Sequence, residues 1–396
     1  MSEPTFPEPE AEVESIDPET LKERVDGASD VTVLDVRATG EFEEWHIDGD
    51  GVTVENVPYF DFLEEVDEEL LGMVPEGDPL VVVCAKGGAS EYVAGKLAEE
   101  GRDVVNLERG MQGWASIYEY YELDADTDAT VAQYQRPSSG CLSYLVVDGE
   151  EAAVVDPLRA FADQYVEDAR AMGAELTTAV DTHIHADHIS GVRTLADEYD
   201  VEAVIPDPAE DRGVDYDRDY ETVSDGDVIE VGDVDVETVY TPGHTSGMTS
   251  YLVDDAVLFT GDGLFTESVA RPDLEEGDEG APDAAAQLYE TLQNRVLALD
   301  DDVLVAGAHF SDAADPRSDG TFAATVGELV EDMPALRMDE DEFVEFILSD
   351  MPPRPANYVD IIETNLGQQS ADDEEAFELE LGPNNCAASQ DAMTSD

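Results

Sequence analysis

The chain has 396 residues and carries 98 Asp and Glu against 18 Lys and Arg, a formal net charge of −80. An apolar share of 42% is enough to build cores, so the acidity does not mark a disordered chain. Its length allows two to three domains at roughly 150 residues each. Charge of this sign and size excludes non-specific partnership with nucleic acid or with an anionic membrane surface. It also repels itself, and a Debye length of about 3 Å, reached near 1 M salt, is what screens it. Acidic residues spread along the whole chain therefore read as the surface of a halophilic protein in a molar-salt, cytoplasmic solvent. Arg outnumbers Lys 15 to 3 and there are six His, so the places where these residues fall carry information.

Residues 1–14 read as a flexible, acidic, Pro-rich lead, with neither the basic nor the apolar region of a signal peptide. No apolar run approaches about 18 residues, so no membrane span is expected. Asp17-Pro18 sets a helix N-cap, and Leu21 and Val25 share a face behind it. Val31–Val36, Leu80–Val83 and a segment from Val104 are β-branched runs that predict strands, with helical stretches near 62–71 and 91–100 between them. This alternation predicts a parallel α/β domain over residues 15–122. An acidic linker is expected over 123–130. Beyond it, 131–369, the texture changes to hairpins, with turns at Asp148-Gly149, Gly232-Asp233 and Asp254-Asp255, and helices near 161–172, 191–199 and 284–299. Two sheets covered by helices are predicted. The polar stretch 370–396 reads as a disordered acidic tail. Three Cys (Cys84, Cys141 and Cys386) lie far apart, which fits a reducing compartment better than a disulfide framework. Cys141 falls in a predicted strand and Cys386 in the tail.

The strongest signal is Thr182-His183-Ile184-His185-Ala186-Asp187-His188, directly after an apolar β run. His244, Asp262 and His309 likewise each follow a predicted strand. Five of the six His fall in these segments, and strands ending on one edge would gather them into a metal centre. The spacing alone leaves two chemistries open. One is a dinuclear hydrolase, with His183, His185 and His244 at one metal, Asp187, His188 and His309 at the other, and Asp262 bridging. The other is a mononuclear iron oxygenase with two His and one carboxylate.

The H-x-H-x-D-H run with its later His, Asp and His resembles the metallo-β-lactamase superfamily, which implies an αββα sandwich with the metal at one edge. Arg271-Pro272-Asp273-Leu274, the segment Asp341–Leu348, the Pro-rich turn after Met351 and Asn365-Leu-Gly367 then occur in the order of the persulfide dioxygenase family. That resemblance implies one Fe2+ held by His183, His244 and Asp262, with persulfide sulfur and O2 at the remaining positions. His185, Asp187, His188 and His309 are then second-shell or second-metal residues. Arg271 is expected to bind an anionic group of the thiol carrier. The alternative is a glyoxalase II-like thioesterase with one or two Zn2+.

In the first domain, Val81-Val-Val-Cys84-Ala-Lys86-Gly-Gly-Ala-Ser90 is a strand, a turn and a helix start. A Cys there sits among backbone N–H groups that can cradle an anion, with Lys86 adding positive charge. Together with Asp35-Val-Arg37, His46-Ile-Asp-Gly49 and Arg109-Gly-Met-Gln-Gly-Trp114, this loop resembles a single rhodanese domain. The resemblance implies a persulfide on Cys84, thiosulfate or sulfite as partners in sulfur transfer, and structural roles for Arg37 and His46. The expected partners are thus a small-molecule thiol persulfide, thiosulfate or sulfite, and O2, and a homo-oligomer is left open.

Overall fold

Short parallel strands form the first sheet of the computed structural model, which describes residues 11–27, 29–64, 66–311, 313–349, 351–382 and 387–388. They are β1 (Glu14–Ile16), β2 (Val31–Asp35), β3 (Val52–Asn56), β4 (Leu80–Val83) and β5 (Val104–Leu107), in the order β1-β5-β4-β2-β3. The two edge strands escape the sequence reading because they are short and mostly polar. The central β4 is buried at every position, as a strand covered on both faces must be. The helix Pro18–Asp26 starts where Asp17 accepts from the Thr20 N–H at 2.8 Å. A longer helix, Gly88–Glu99, packs Val93, Ala94 and Leu97 with Leu80 and Val82.

The first compact unit runs to Ile117 and the second begins at Tyr118. The expected linker is replaced by ordered chain. β6 (Glu119–Glu122) pairs antiparallel with β7 (Thr130–Arg136), and Leu123 and Val131 are buried in the second unit's core. Composition hid this because the acidic side chains around Leu123 face solvent.

Among the described residues, eleven further strands complete the second unit's two sheets. β8 (Cys141–Asp148), β9 (Glu151–Val155), β10 (Glu175–Val180), β11 (Glu202–Pro206) and β12 (Glu221–Val223) join β6 and β7 in a seven-stranded sheet. β13 (Val228–Val231) opens a six-stranded sheet with β14 (Val234–Tyr240), β15 (Thr249–Val253), β16 (Val257–Gly261), β17 (Leu304–Gly307) and β18 (Ala324–Thr325). The period-two alternation of β8 sorts its side chains. Leu142, Tyr144 and Val146 meet Val236, Tyr251 and Phe259 of the other sheet, while Leu145 and Val147 pack against Tyr165, Val166 and Leu195 of the helices Ala162–Ala171 and Val192–Tyr199. On the far side, Leu252, Leu258 and Val305 pack against Leu288, Leu329 and Phe343. The result is four layers, helix-sheet-sheet-helix.

The tail also departs from expectation. Residues 373–379 form a helix with a capping box between Asp372 and Glu375. It is fastened by Arg159 Nη2 to Asp373 at 2.7 Å and by Arg136 Nη1 to Glu380 at 2.6 Å. Arg136 is a buried cation on β7 and needs a carboxylate, which only the tertiary fold reveals. Cys386, residues 1–10 and residues 389–396 lie outside the described residues. Among the described residues no helix is long and apolar enough to cross a membrane.

Candidate metal centre and cysteine loop

Four strands of the second unit end beside one another, and the chain beyond each end supplies the site. β10 leads to the histidine loop, β14 to His244, β16 to Asp262 and β17 to His309. His183 Nε2 lies 3.7 Å and His244 Nε2 3.5 Å from Asp262 Oδ2, with all three side chains fully buried. None of these three atoms has a hydrogen-bond partner among the described residues. Buried polar atoms are nearly always paired, so three orphans converging at this spacing mark the place of a cation. Two imidazoles and a carboxylate fit a first-row divalent metal and leave positions open for other ligands.

The outward atoms of these ligands are held. His244 Nδ1–H donates to the Arg271 carbonyl at 2.9 Å. The Thr182 hydroxyl donates to Asp156 Oδ2 at 2.8 Å and accepts from His183 Nδ1 at 2.9 Å. Both arrangements put the ring proton on Nδ1 and leave the Nε2 lone pair for a metal. Burial pushes both imidazoles below their usual range, helped for His183 by neighbouring His185 and His244. Asp156 holds a left-handed backbone, φ 51°, to aim its carboxylate at this loop.

The other candidate histidines face acidic partners, while His185 Nδ1 and His188 Nε2 are buried without a hydrogen-bond partner among the described residues. His185 Nε2 faces Asp156 Oδ1 at 3.1 Å and Asp181 Oδ1 at 3.5 Å. Burial and His188 oppose its charge, yet these carboxylates push it up to about 9. His309 bridges two acids, with Nδ1 2.6 Å from Asp262 Oδ1 and Nε2 2.8 Å from Asp187 Oδ2. Asp187 and His188 complete a separate cluster with His309 and Cys141. The Cys141 thiol donates to Asp187 Oδ2 at 3.3 Å, so this residue has a chemical setting that its place in a strand did not reveal.

Arg271 is engaged within the fold, not at the ligand position that the resemblance implies. Its guanidinium is buried and committed, with Nε to Asp273 Oδ1 at 2.7 Å, Nη1 to the Pro353 carbonyl at 2.9 Å and Nη2 to the Pro352 carbonyl at 3.0 Å. It braces the turn whose carbonyl holds His244 and does not present a charge to a ligand. Sequence reasoning missed Arg212, which touches the Ile184 carbonyl at 3.4 Å and Glu275 at 3.5 Å and whose charge depresses both His183 and His244. It also missed how Asn365 acts. Asn365 Nδ2 donates to the carbonyls of His185 and His188 at 3.0 and 2.8 Å, and its Oδ1 accepts from Ser190 N–H at 2.9 Å.

In the first unit, Cys84 ends β4 and is buried. Its Sγ accepts from the Gly87 N–H at 3.1 Å and lies 3.2 Å from Ser90 Oγ. Its carbonyl accepts from Met111 N–H at 2.8 Å, and that of Ala85 from Gln112 N–H at 3.0 Å. This docking requires Gly110, φ 55°, because a Cβ there would meet the Cys84 oxygen at 2.0 Å. Lys86 is half-buried on the same loop. Arg37 grips Asp35 through Nη2 at 2.6 Å, and His46 stacks on Phe42 with ring centroids 4.4 Å apart, so both are tied into the fold.

The Metallo-beta-lactamase superfamily profile matches residues 137–309, and that of the Rhodanese-like domain matches residues 17–117. Fold and site together thus define a metallo-β-lactamase-fold protein with a rhodanese-like domain ahead of it. The human mitochondrial persulfide dioxygenase ETHE1 is 31% identical over 229 residues, covering 56% of this chain and 82% of that protein. The crystal structure of ETHE1 from Myxococcus xanthus is 26% identical at a TM-score of 0.51, covering 60% of this chain and 98% of that one. A hydroxyacylglutathione hydrolase from Brucella anthropi is 34% identical over 146 residues, covering 37% of this chain and 50% of that enzyme. This chain belongs to the persulfide dioxygenase family.

Proposed function

We propose that the second unit oxidises a low-molecular-weight thiol persulfide with O2 at one Fe2+ held by His183, His244 and Asp262, while Cys84 of the first unit carries sulfane sulfur as a persulfide. The overall oxidation balances as RSSH + O2 + H2O giving RSH, sulfite and two protons. The observation that carries this reading is the close grouping of three unpartnered ligand atoms, His183 Nε2, His244 Nε2 and Asp262 Oδ2. A dinuclear hydrolase would draw His185 into the first metal through its unpartnered Nδ1, whereas here His185 groups with Asp156 and Asp181, apart from the group of His183, His244 and Asp262.

When bound, the iron supplies a redox-active centre with open positions for O2 and sulfur. The protein's own residues do the rest. Arg271 and Thr182 fix the imidazole tautomers through their oxygens. His309 hydrogen-bonds the Asp262 oxygen that faces away from the triad, which keeps that carboxylate oriented. Arg212 places positive charge near His183 and His244, where an anionic persulfide would approach. In the first unit, the Cys84 thiolate attacks the outer sulfur of thiosulfate and releases sulfite, leaving Cys–S–S⁻. The Gly87 N–H then faces the sulfur.

Anaerobic purification in concentrated salt, followed by metal quantification and O2 uptake with a small thiol persulfide, tests this reading. One iron per chain and one O2 per persulfide are expected. Two zincs with thioester hydrolysis would replace it with the hydrolase reading, which the grouping of Asp187, His188 and His309 favours. The charge of −80 supports a further part of the proposal, a cytoplasmic working solvent of concentrated salt. Diluting salt below about 0.5 M should unfold or inactivate the protein as screening weakens. Full activity in dilute buffer would refute that part alone.

A further inference from the structure

The histidine loop between β10 and the helix Val192–Tyr199 has irregular backbone in a fully buried place, so its N–H and carbonyl groups must find partners outside regular ladders. Asn365 meets two carbonyls and one N–H. The N–H of Ile189, directly after His188, is met by Glu380 Oε1 at 2.8 Å. Ile189's carbonyl accepts from Arg159 N–H at 2.9 Å. Glu380 stands outside the matched stretch 137–309.

Glu380 is itself held. Its Oε2 meets Arg136 Nη1 at 2.6 Å, both side chains being 1% exposed. The Arg136 guanidinium lies over the rings of Phe161 and Phe377, at 5.5 and 5.1 Å. The helix 373–379 that carries Phe377 is tied at its other end, where Arg159 donates to the Ala371 carbonyl at 3.0 Å and pairs with Asp373. Asn357 Nδ2 donates to the Leu379 carbonyl at 3.1 Å. A buried carboxylate between a guanidinium and a backbone N–H makes charge-assisted bonds on both sides, which fixes its position more firmly than a neutral contact.

We propose that Glu380 is a positioning residue for the metal centre, holding the histidine loop in register from the C-terminal helix through the Ile189 N–H. It does not touch the metal or the substrate. It acts through the backbone beside His188, and hence on where His183 presents Nε2. Support of this kind around a metal typically changes affinity by about 10- to 100-fold. The proposal rests on His183, His244 and Asp262 binding a metal, but not on which reaction follows.

Two double variants of the full chain separate the hydrogen bond from the ion pair. Arg136→Met with Glu380→Gln removes both charges and keeps an oxygen for the Ile189 N–H. Arg136→Met with Glu380→Leu removes the charges and the acceptor. Each metal-free protein is titrated with Co(II) in concentrated salt, following its visible absorption. The Gln pair should bind within about threefold of wild type. The Leu pair should bind about 10- to 100-fold more weakly with a shifted Co(II) spectrum, at unchanged circular dichroism. Equal affinity and spectrum in the two pairs would overturn the proposal. If the Leu pair does not fold, Glu380→Asp keeps the charge one methylene short, and wild-type Co(II) affinity there would equally overturn it. Failure of wild type itself to bind Co(II) at the triad would remove the metal reading on which the proposal depends, and so is distinguishable from failure of the clasp.

Discussion

The Cys84 loop and the histidine loop have the same plan and opposite support. Each leaves the end of a parallel strand, β4 or β10, and each runs into a helix. The Cys84 loop is held from within by Gly87 and Ser90, and by Met111 and Gln112 of the helix Gly110–Ala115. The histidine loop draws on Asp156, Asn365 and Glu380, from separate elements of the second unit. The difference follows from what each must hold. A sulfur anion is soft and accepts donors from a broad range of directions, so a turn of backbone N–H groups suffices. A metal demands several lone pairs at fixed angles, so every ligand needs its own brace.

The widest break between the two is a double dissociation. Cys84→Ser should abolish persulfide trapping on the first unit and reduce thiosulfate sulfurtransferase activity by at least about a thousandfold. Metal content and O2 uptake with a small persulfide should stay at wild-type levels. His244→Ala should do the reverse, leaving less than about a tenth of the metal and no measurable O2 uptake while Cys84 still takes up labelled sulfur. Loss of both functions in either variant would deny that the sites are separately supported.

A smaller effect is expected from the braces. Asn365→Ala leaves the His185 and His188 carbonyls without their shared donor and should weaken Co(II) binding about 10- to 100-fold. The comparable cut in the first unit, Ser90→Ala, should change persulfide formation on Cys84 by only about threefold, because the Gly87 N–H remains. A larger effect at Ser90 than at Asn365 would invert the comparison.

The smallest effect is a pH slope in the metal-free protein. His185 is raised to about 9 by Asp156 and Asp181 against the cost of burial. A raised histidine contributes stability that is complete below its unfolded value of about 6.5 and is lost as pH climbs through the folded value. The Tm of the metal-free chain should therefore fall by a few degrees between pH 6.5 and 9.5, and His185→Gln should flatten that fall. Identical slopes in the two proteins would show that His185 is not held as a cation.

Legibility in the sequence followed the same divide. The Cys84 turn and its helix are contiguous in the chain and read as a local motif, whereas the approach of Gly110 to the Cys84 carbonyl shows only in the fold. The ligands were readable too, because His is scarce and each ligand follows a β run. Their supports were not. Arg271 looked like a free cation beside the metal Asp, yet Asp273 and two proline carbonyls occupy it. Glu380 was lost among acidic neighbours in a segment whose composition suggests disorder, since nothing local shows that Arg136 on a distant strand is buried. Cys141 reads in the sequence only as a strand residue, because its nearness to Asp187 depends on how β8 and the segment after β17 meet beside the site.

The bond from Ile189 to Glu380 also sets an order of events. The two residues stand 191 positions apart, so during synthesis the histidine loop is made long before its last brace emerges. Ligands from His183 to Asp262 are all translated while the loop is still without that carboxylate. On the proposed role of Glu380, the metal centre reaches its full affinity only after residue 380 has emerged, and a chain cut before that residue should be a poor competitor for the ion.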